Sequence, residues 1–457
     1  MIRRSVREWD YIPIEDPGPG SFSRVAADRV IECAAVVRSA GLDGERILIN
    51  HPKKLRAQQV VGVIAADDVT LEILPKIDGN ESDAAARRSL VHMLAVVLDL
   101  DIVEGGLTDL GWQRDDLLEI LIRLFCDRLF EALHRGLPRR YVPHEDDLAA
   151  LRGRLDVKRQ FTMLAASPQR LACRFDELSA DIALNQIMKA AVTKLAKVAR
   201  APENQRRLAE LSFAFADVTA VPVKALPWHH VVMDRTNRSW AQLLSWAKLL
   251  LGDRFQTTSS GDAPGFSLLF EMNKLFEEFV GRSLARALAG SGYEVRLQGP
   301  RGYALADLQT GQNRFATKPD ITIGRGGAPV LVIDTKWKRL KGSIEDPKHG
   351  VGQADVYQMM AYAHVYQCER LLLLYPHHGG LGAEAAGLTC VHGINGTSDS
   401  RIGVATVSLS NPKLAIGQLR ELLLLDDFGL ELRETDYRSI SPSCPSGFGQ
   451  SQSSMAL

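Results

Sequence analysis

Residues 320–334 hold two short apolar segments on either side of a glycine-rich turn at 324–327. Apolar segments of this length around glycines predict two antiparallel strands joined by a tight reversal. In such a hairpin the start of the first strand lies beside the end of the second, so Asp320 and Asp334 are expected to converge. Because side chains alternate along a strand, Asp334 and Lys336 are expected on one face. The sequence therefore predicts two carboxylates and a lysine at one end of a buried hairpin.

Two carboxylates and a lysine beside an apolar strand require an explanation, because unpaired charge is costly to bury. A hard divalent cation provides one, since Mg²⁺ binds carboxylate, water and phosphate oxygens and promotes phosphodiester hydrolysis. Lys336 would then position or deprotonate a water, or neutralise charge that develops on phosphate. The alternative for an isolated pattern of this kind is that Asp320 caps a turn while Asp334 and Lys336 form a surface ion pair.

Two neighbouring features favour the metal-site interpretation. Residues 354–367 have a helical pattern in which Gln358 and Tyr362, four positions apart, share one face. Residues 314–348 hold eight basic and four acidic residues, a local positive excess suited to phosphate contact. A charge excess alone is a weak signal, because most charged runs are solvated surfaces.

The first 80 residues are predicted to form a β-rich domain. Short runs rich in β-branched residues at 46–49, 60–64 and 69–74 are bounded by Gly, Asp and Pro, which is typical of strands. A helix is expected over residues 23–39.

Residues 81–260 are predicted to form a mainly helical middle region, because their apolar residues recur at helical spacing. Helical patterns extend from about 84 to 137 and return at 182–216 and 239–251. A polar break that carries Gly and Pro at 257–265 marks a domain boundary.

Residues 261–437 alternate helical patterns with strand patterns, which is typical of an α/β domain. The first helix is expected over 271–288 and carries the adjacent acids Glu277 and Glu278. Residues 438–457 are rich in Ser, Gly, Pro and Gln and are predicted to be a disordered tail. The predicted fold class is therefore α+β multidomain, with a β-rich N-terminal domain, a helical middle and a C-terminal α/β domain.

The composition limits the classes of function. The 55 basic and 55 acidic residues cancel, so DNA binding must come from local patches or a partner. Apolar segments fall far short of the ~20 residues that span a bilayer, and the N-terminus does not resemble a signal peptide. We therefore expect a cytoplasmic protein without membrane association. Six scattered cysteines with no CxxC pair argue against a zinc site or a disulfide framework.

Together these residues resemble the PD-(D/E)xK nuclease superfamily, and Gln358 with Tyr362 resembles the QxxxY helix of its RecB-like branch. More narrowly, the chain resembles the McrC family, the nuclease subunits of the McrBC modification-dependent restriction systems. The resemblance also covers residues 71–77, 151–156, 173–177 and 272–277. It implies that the C-terminal α/β domain is of the restriction-endonuclease-like type.

The resemblance implies specific roles for the candidate residues. Asp320 and Asp334 would be Mg²⁺ ligands, and Lys336 would be the catalytic lysine. Gln358 and Tyr362 would support the site or face DNA.

Glu277 matches the position at which some members carry an additional acid on a helix. The adjacent Glu278 is an alternative to it, and a solvated helix face is another.

The resemblance also implies a partner, an AAA+ GTPase similar to McrB that recognises modified cytosine and translocates DNA. This sequence contains no GxxxxGK[ST] phosphate loop, so the chain itself is not expected to bind nucleotide. The implied function is Mg²⁺-dependent cleavage of methylated duplex DNA within that complex, together with stimulation of the GTPase. The β-rich domain and the helical middle would dock on the partner. Arg152 and Arg154 are candidates for docking or stimulation, with surface or structural roles as the alternative.

Two other functions are compatible with these residues. A free-standing RecB-like repair exonuclease would digest DNA ends without GTP or a partner. A non-catalytic scaffold would activate an AAA+ ring and would keep its function when Asp334 is replaced.

Overall fold

The structure is a computed structural model that describes residues 2–15, 18, 20–35, 47–66, 68–77, 81–100, 109–167, 169–252, 265–340, 348, 350–381, 386–397, 399–425, 428 and 430. The predicted tail at 438–457 and nearly all of the predicted break at 257–265 lie outside these residues.

Strands and helices alternate along the described chain. The strands are β1 (Ile2–Arg7), β2 (Tyr11–Pro13), β3 (Leu48–His51), β4 (Lys54–Ala57), β5 (Val60–Ala66), β6 (Val69–Leu74), β7 (Arg140–Leu148), β8 (Arg154–Leu155), β9 (Leu171–Ser179), β10 (Gly265–Glu271), β11 (Glu294–Leu297), β12 (Gly302–Ala306), β13 (Asn313–Thr317), β14 (Ile321–Arg325), β15 (Ala328–Thr335), β16 (Arg370–Pro376), β17 (Leu388–Gly393) and β18 (Arg401–Val407). The helices are α1 (Arg24–Ala35), α2 (Asp83–Val97), α3 (Asp109–Arg114), α4 (Leu117–His134), α5 (Val157–Thr162), α6 (Ala183–Val198), α7 (Pro202–Ala214), α8 (Ala241–Leu251), α9 (Met272–Ala287), α10 (Gln353–Tyr366) and α11 (Pro412–Leu424). This mixed composition confirms the predicted α+β class.

The N-terminal region contains two small sheets with a core of their own. One sheet has the order β2-β4-β3, and the other has the order β1-β6-β5-β10. Helix α1 packs on them through buried residues such as Ala27 and Val30, which join Phe22, Ile64 and Leu71 in this core. The strands predicted at 60–64 and 69–74 correspond to β5 and β6. The predicted helix at 23–39 corresponds to α1, and residues 36–46 lie outside the described part of the chain.

Strand β10 joins the C-terminal region to the N-terminal sheet. It lies beyond the predicted boundary at residue 260, yet it pairs antiparallel with β5, with Leu269 opposite Gly62. Gly62 has φ +135°, and a Cβ added there would collide with the backbone carbonyl of Leu268. Glycine is therefore required for the close approach of these strands. The predicted domain boundaries remain predictions, and β10 belongs to the N-terminal sheet.

A buried ion pair connects this sheet to the helical middle. Arg87 on α2 donates hydrogen bonds of 2.7 Å from Nε and Nη2 to the two carboxylate oxygens of Glu72 on β6. Glu72 also accepts from the Ser5 hydroxyl at 2.7 Å and from the Leu117 backbone amide at 2.9 Å. One carboxylate therefore joins β1, β6, α2 and the start of α4.

The middle region is mainly helical, as predicted, with two differences. The single helical stretch predicted at 182–216 is two helices, α6 and α7, because the chain turns at Ala199 and Pro202 begins α7. A three-stranded sheet with the order β7-β9-β8 was not predicted. Its residues are largely exposed on both faces, so the sequence there shows little apolar alternation.

The C-terminal region is a six-stranded mixed sheet with the order β11-β14-β15-β16-β18-β17. Strands β15, β16 and β18 run parallel, whereas β14 is antiparallel to β15. One face, which includes Ile333 and Leu372, shares the main core with α9 and α11. The opposite face, which includes Val332 and Leu371, packs against α10. Helices on both faces bury this sheet, which explains its nearly continuous apolar strands.

Within the described part of the chain, no helix is long and apolar enough to cross a membrane.

Candidate active site

The hairpin of β14 and β15 places the candidate acids. Ile321 pairs with Ile333, so Asp320, just before β14, lies beside the end of β15. Asp334 is the penultimate residue of β15 and pairs with Leu373 of β16. The Lys336 backbone amide donates to the carbonyl of Leu374 at 2.9 Å, which continues the ladder past the strand end. The pairing register of β14 and β15 therefore brings Asp320 close to Asp334, which is the predicted convergence.

Asp320 is held by the backbone that it faces. Its Oδ2 accepts hydrogen bonds of 2.8 Å from both the backbone amide and the hydroxyl of Thr335. Thr335 lies between Asp334 and Lys336, so the Asp320 carboxylate is fixed directly against the strand that carries the other two groups.

Asp334 is almost fully buried, with 1% of the residue exposed. Its Oδ2 lies 2.6 Å from the Lys336 ammonium. Burial, followed by the negative charge of Asp320, raises the pKa of Asp334, while Lys336 opposes this rise. Two carboxylates that repel each other in a buried site favour a bound cation.

Lys336 is the centre of a hydrogen-bonded series that ends close to Asp320. Its Nζ donates to Gln358 Oε1 at 2.9 Å, and Gln358 Nε2 donates to the Tyr362 hydroxyl at 2.7 Å. The Tyr362 hydroxyl donates in turn to the carbonyl of Lys318 at 3.2 Å. Gln358 and Tyr362 therefore both face the site, and Gln358 orients the Lys336 ammonium.

The charge state of Lys336 follows from its neighbours. Burial lowers its pKa, but the negative charge and hydrogen bond of Asp334 outweigh burial and leave the pKa above its usual value. Lys336 is therefore a cation at neutral pH in this arrangement. Of the roles predicted for it, stabilising negative charge fits this state better than accepting a proton.

The structure distinguishes Glu277 from Glu278. Glu277 is buried on α9 and accepts from Gln298 Nε2 at 2.7 Å. Burial, followed by the charge of Asp320, raises the pKa of Glu277 to about 7. Glu278 instead pairs with Arg282 on its own helix at 3.0 Å. Glu277 is therefore the acid of α9 that faces the candidate site.

We expect Glu277→Gln to weaken Mg²⁺ binding by roughly 10–100-fold, the range for loss of a supporting group at a metal site. A site with less negative charge holds the cation more weakly, and calorimetric titration with Mg²⁺ measures the change. The matched control is Glu278→Gln, which removes the neighbouring charge and should stay within twofold of wild type. Equal losses in both variants would show that the charge of the helix matters rather than the position of Glu277.

The carboxylates of Asp320 and Asp334 suit Mg²⁺ in ligand type and in number. Within the described residues, no three His, Cys, Asp or Glu side chains are arranged as a ready metal cage. Mg²⁺ commonly uses one or two carboxylates and completes its shell with water and phosphate oxygens. Asp320 and Asp334 match this requirement, because Asp334 is buried and the negative charge of Asp320 disfavours the ionised form of Asp334 in the absence of a cation.

Two groups near the site were not predicted from the sequence. Asp355 on α10 is buried, lies 3.7 Å from the Lys336 ammonium and pairs with Lys338 at 3.0 Å. Asp355 and Gln358 are three residues apart on α10 and therefore share one helix face. This spacing is the feature of the sequence that could have predicted the position of Asp355.

The second group links the site to the N-terminus. The Trp337 indole, directly after Lys336, donates to the buried carboxylate of Glu8 at 2.6 Å. Its ring also packs against Phe276, the residue before Glu277, with centroids 5.4 Å apart. No local pattern indicates a contact between residues 329 positions apart.

The fold and the site define a mixed α/β protein with a buried carboxylate–lysine cluster at the end of a strand hairpin. Residues 55–376 match the family model described as McrBC 5-methylcytosine restriction system component, so the chain belongs to that family. The predicted membership is confirmed. Comparison with curated proteins gives no match.

Solved structures from Thermococcus gammatolerans are similar to this chain. One is from the refined half-complex of a tetradecameric assembly of McrB AAA+ hexamers with bound McrC, at 21% identity and a TM-score of 0.71, covering 92% of this chain and 99% of that chain. Another is from the cryo-EM structure of the McrBC complex, at 26% identity and a TM-score of 0.53, covering 63% of this chain and 88% of that one. The first match extends the similarity in fold over nearly the whole chain.

Proposed function

We propose that this chain is the Mg²⁺-dependent DNA endonuclease subunit of a 5-methylcytosine-dependent restriction system, with a PD-(D/E)xK active site. The observation that carries the proposal is the convergence of Asp320, Asp334 and Lys336 at the end of one hairpin, within a protein of the McrBC family. The order Pro-Asp, strand, turn, strand, Asp-Thr-Lys resembles the motif in sequence, and the pairing of β14 with β15 supports the assignment.

Each residue has a role that its surroundings support. Asp320 and Asp334 would hold Mg²⁺, which when bound would supply Lewis-acid polarisation of the phosphoryl group. Lys336 would offset the negative charge that grows on the phosphate oxygens during attack by water. Gln358 orients the Lys336 ammonium through its 2.9 Å hydrogen bond. Burial and the charge of Asp334 raise the pKa of Tyr362, so Tyr362 remains a neutral donor to the backbone before Asp320.

An AAA+ GTPase related to McrB is the proposed partner. A chain of similar fold is from an assembly of McrB AAA+ hexamers with bound McrC, and this sequence has no nucleotide-binding phosphate loop of its own. We propose that the partner selects methylated DNA and hydrolyses GTP, and that this chain stimulates the hydrolysis and cuts the duplex.

The test combines the purified chain with the AAA+ protein encoded beside it, GTP, Mg²⁺ and a cytosine-methylated plasmid. We expect double-strand cleavage only when every component is present, and no cleavage of the unmethylated plasmid. Digestion of linear ends by the chain alone would instead identify a free-standing exonuclease. Stimulated GTP hydrolysis without cleavage under any Mg²⁺ condition would identify a scaffold.

A further inference from the structure

A two-stranded hairpin projects from the C-terminal sheet immediately before Asp320. Among the described residues, strands β12 and β13 pair only with each other, and residues 307–312 form the turn between them. The Asp307 carboxylate accepts from the backbone amides of Gln309 and Thr310 at 2.9 Å each, which fixes the turn. Because most residues of the hairpin are exposed and none is buried, it contributes little to the core of the protein.

Its exposed side chains are unusually apolar for a solvated hairpin. Leu308 at the tip is fully exposed at 102%, and Phe315 on β13 is 72% exposed. Tyr303 and Leu305 on β12 are exposed as well. An isolated two-stranded ribbon is marginally stable in water, and exposed apolar clusters of this kind mark interaction sites.

Phe315 also has an unusual backbone conformation. Its φ is +55°, a left-handed region that bulky residues rarely adopt. Conformations of this type are found most often where a side chain has a functional placement. Phe315 therefore combines an exposed aromatic side chain with a strained backbone conformation.

The base of the hairpin is rigidly attached to the helix of the candidate site. The Tyr366 hydroxyl on α10 donates to the Thr317 carbonyl at 2.9 Å and accepts from the Gly302 amide at 3.0 Å. One turn earlier on the same helix, Tyr362 donates to Lys318. These hydrogen bonds therefore connect the base of the hairpin to the helix that carries Gln358.

Charge identifies the kind of partner. Arg301, Arg314 and Lys318 flank the apolar residues, and Asp307 is the acid of this segment, which leaves a net positive ribbon. Phe315 and Asp320 are five positions apart in the sequence, so their Cα atoms are at most ~18 Å apart. At about 3.4 Å per base pair, Phe315 lies within about five base pairs of a phosphate bound at the site.

We propose that the β12–β13 hairpin is a duplex-DNA wedge: Leu308 and Phe315 insert into the minor groove beside the cut, while Arg301 and Arg314 contact the flanking phosphates. Apolar side chains that enter the groove beside basic ones unstack a base step and bend the duplex. This inference rests on the proposed nuclease function and adds to it the element that holds DNA in place.

The first experiment measures plasmid cleavage by the full complex with Leu308→Ser/Phe315→Ser. We expect the rate to fall at least tenfold while GTP hydrolysis and assembly with the AAA+ partner stay at wild-type levels. The matched control is Leu414→Ser, because Leu414 is 49% exposed on α11, outside the hairpin and outside the regions predicted to dock on the partner. A cleavage rate within twofold of wild type in the double variant would overturn the wedge.

The second experiment measures binding of the complex to a 30-base-pair duplex with Ca²⁺ in place of Mg²⁺. Loss of two phosphate contacts in Arg301→Gln/Arg314→Gln should reduce the slope of log affinity against log salt by roughly 2. An unchanged slope would contradict the phosphate contacts.

Loss of partner assembly, or a change in the number of copies of this chain by light scattering, would make the hairpin a protein-docking surface instead and would overturn the proposal. Failure of wild type itself to cut DNA would refute the proposed function, a result distinct from each of these.

Discussion

Replacing Lys336 by glutamine should lower the rate of DNA cleavage by about 10²–10³-fold, the usual cost of removing one group that stabilises charge in the transition state. Glutamine keeps much of the length and polarity of lysine but lacks the positive charge that lies 2.6 Å from Asp334. Gln358 would still find a polar partner, so the surrounding hydrogen bonds would persist. The proposed stimulation of GTP hydrolysis should be unchanged, because the role proposed for Lys336 is confined to the cleavage site.

Lys338 provides the matched control. It lies two positions further along, pairs with Asp355 at 3.0 Å, and its side chain is 60% exposed. Lys338→Gln removes the same charge from the same segment and should cleave DNA within about threefold of wild type. If both variants lost activity equally, the net charge around Asp355 would be the cause, and Lys336 would lose its assigned role.

Asp334→Asn separates charge stabilisation from metal binding. This variant should show no cleavage at any Mg²⁺ concentration, whereas Lys336→Gln should keep a small residual rate. Residual activity of Asp334→Asn that rises with Mg²⁺ would place the essential ligand elsewhere.

Arg87→Met should lower the free energy of unfolding by roughly 3–5 kcal/mol, the cost of breaking a buried ion pair from one side. Both members of the pair are almost fully buried, and two carboxylate oxygens of Glu72 depend on the Arg87 guanidinium. Methionine fills part of the volume but leaves the Glu72 charge without a cation. Urea denaturation followed by tryptophan fluorescence measures the change.

The exposed pair of Arg24 and Asp28 is the comparison. They are separated by 3.0 Å on the surface of α1, and exposed pairs of this kind typically contribute less than about 1 kcal/mol. Arg24→Met should therefore have little effect on the same urea transition. Similar losses in the two variants would mean that burial does not determine the strength of the Glu72–Arg87 contact.

Local patterns were sufficient to predict the centre of the candidate site. The strand–turn–strand segment and the spacing of Gln358 and Tyr362 depend on short-range geometry, and the structure brings these residues together. The predicted helices at 271–288 and 354–367 match α9 and α10 within one residue at each end. Which of Glu277 and Glu278 faces the site depends on the rotation of α9 against the sheet, and a pattern of two adjacent acids does not specify this rotation.

Contacts between segments that are distant in the sequence could not be predicted from local patterns. The Glu8–Trp337 hydrogen bond and the pairing of β10 with β5 join segments that are more than 190 residues apart. The β7–β9 ribbon was not predicted because its exposed faces carry no apolar alternation. These contacts depend on which surfaces meet in the folded protein. The local residue pattern of each segment does not indicate its partner.

The pairing of β10 with β5 has an evolutionary consequence. A recombination event at the polar break near residue 260 would separate β10 from the sheet that it completes. A C-terminal region acquired from a relative would have to supply a strand that fits against Gly62, where no side chain is tolerated. The two ends of the gene are therefore expected to be inherited together, and exchange between relatives should occur as whole chains rather than as separate modules.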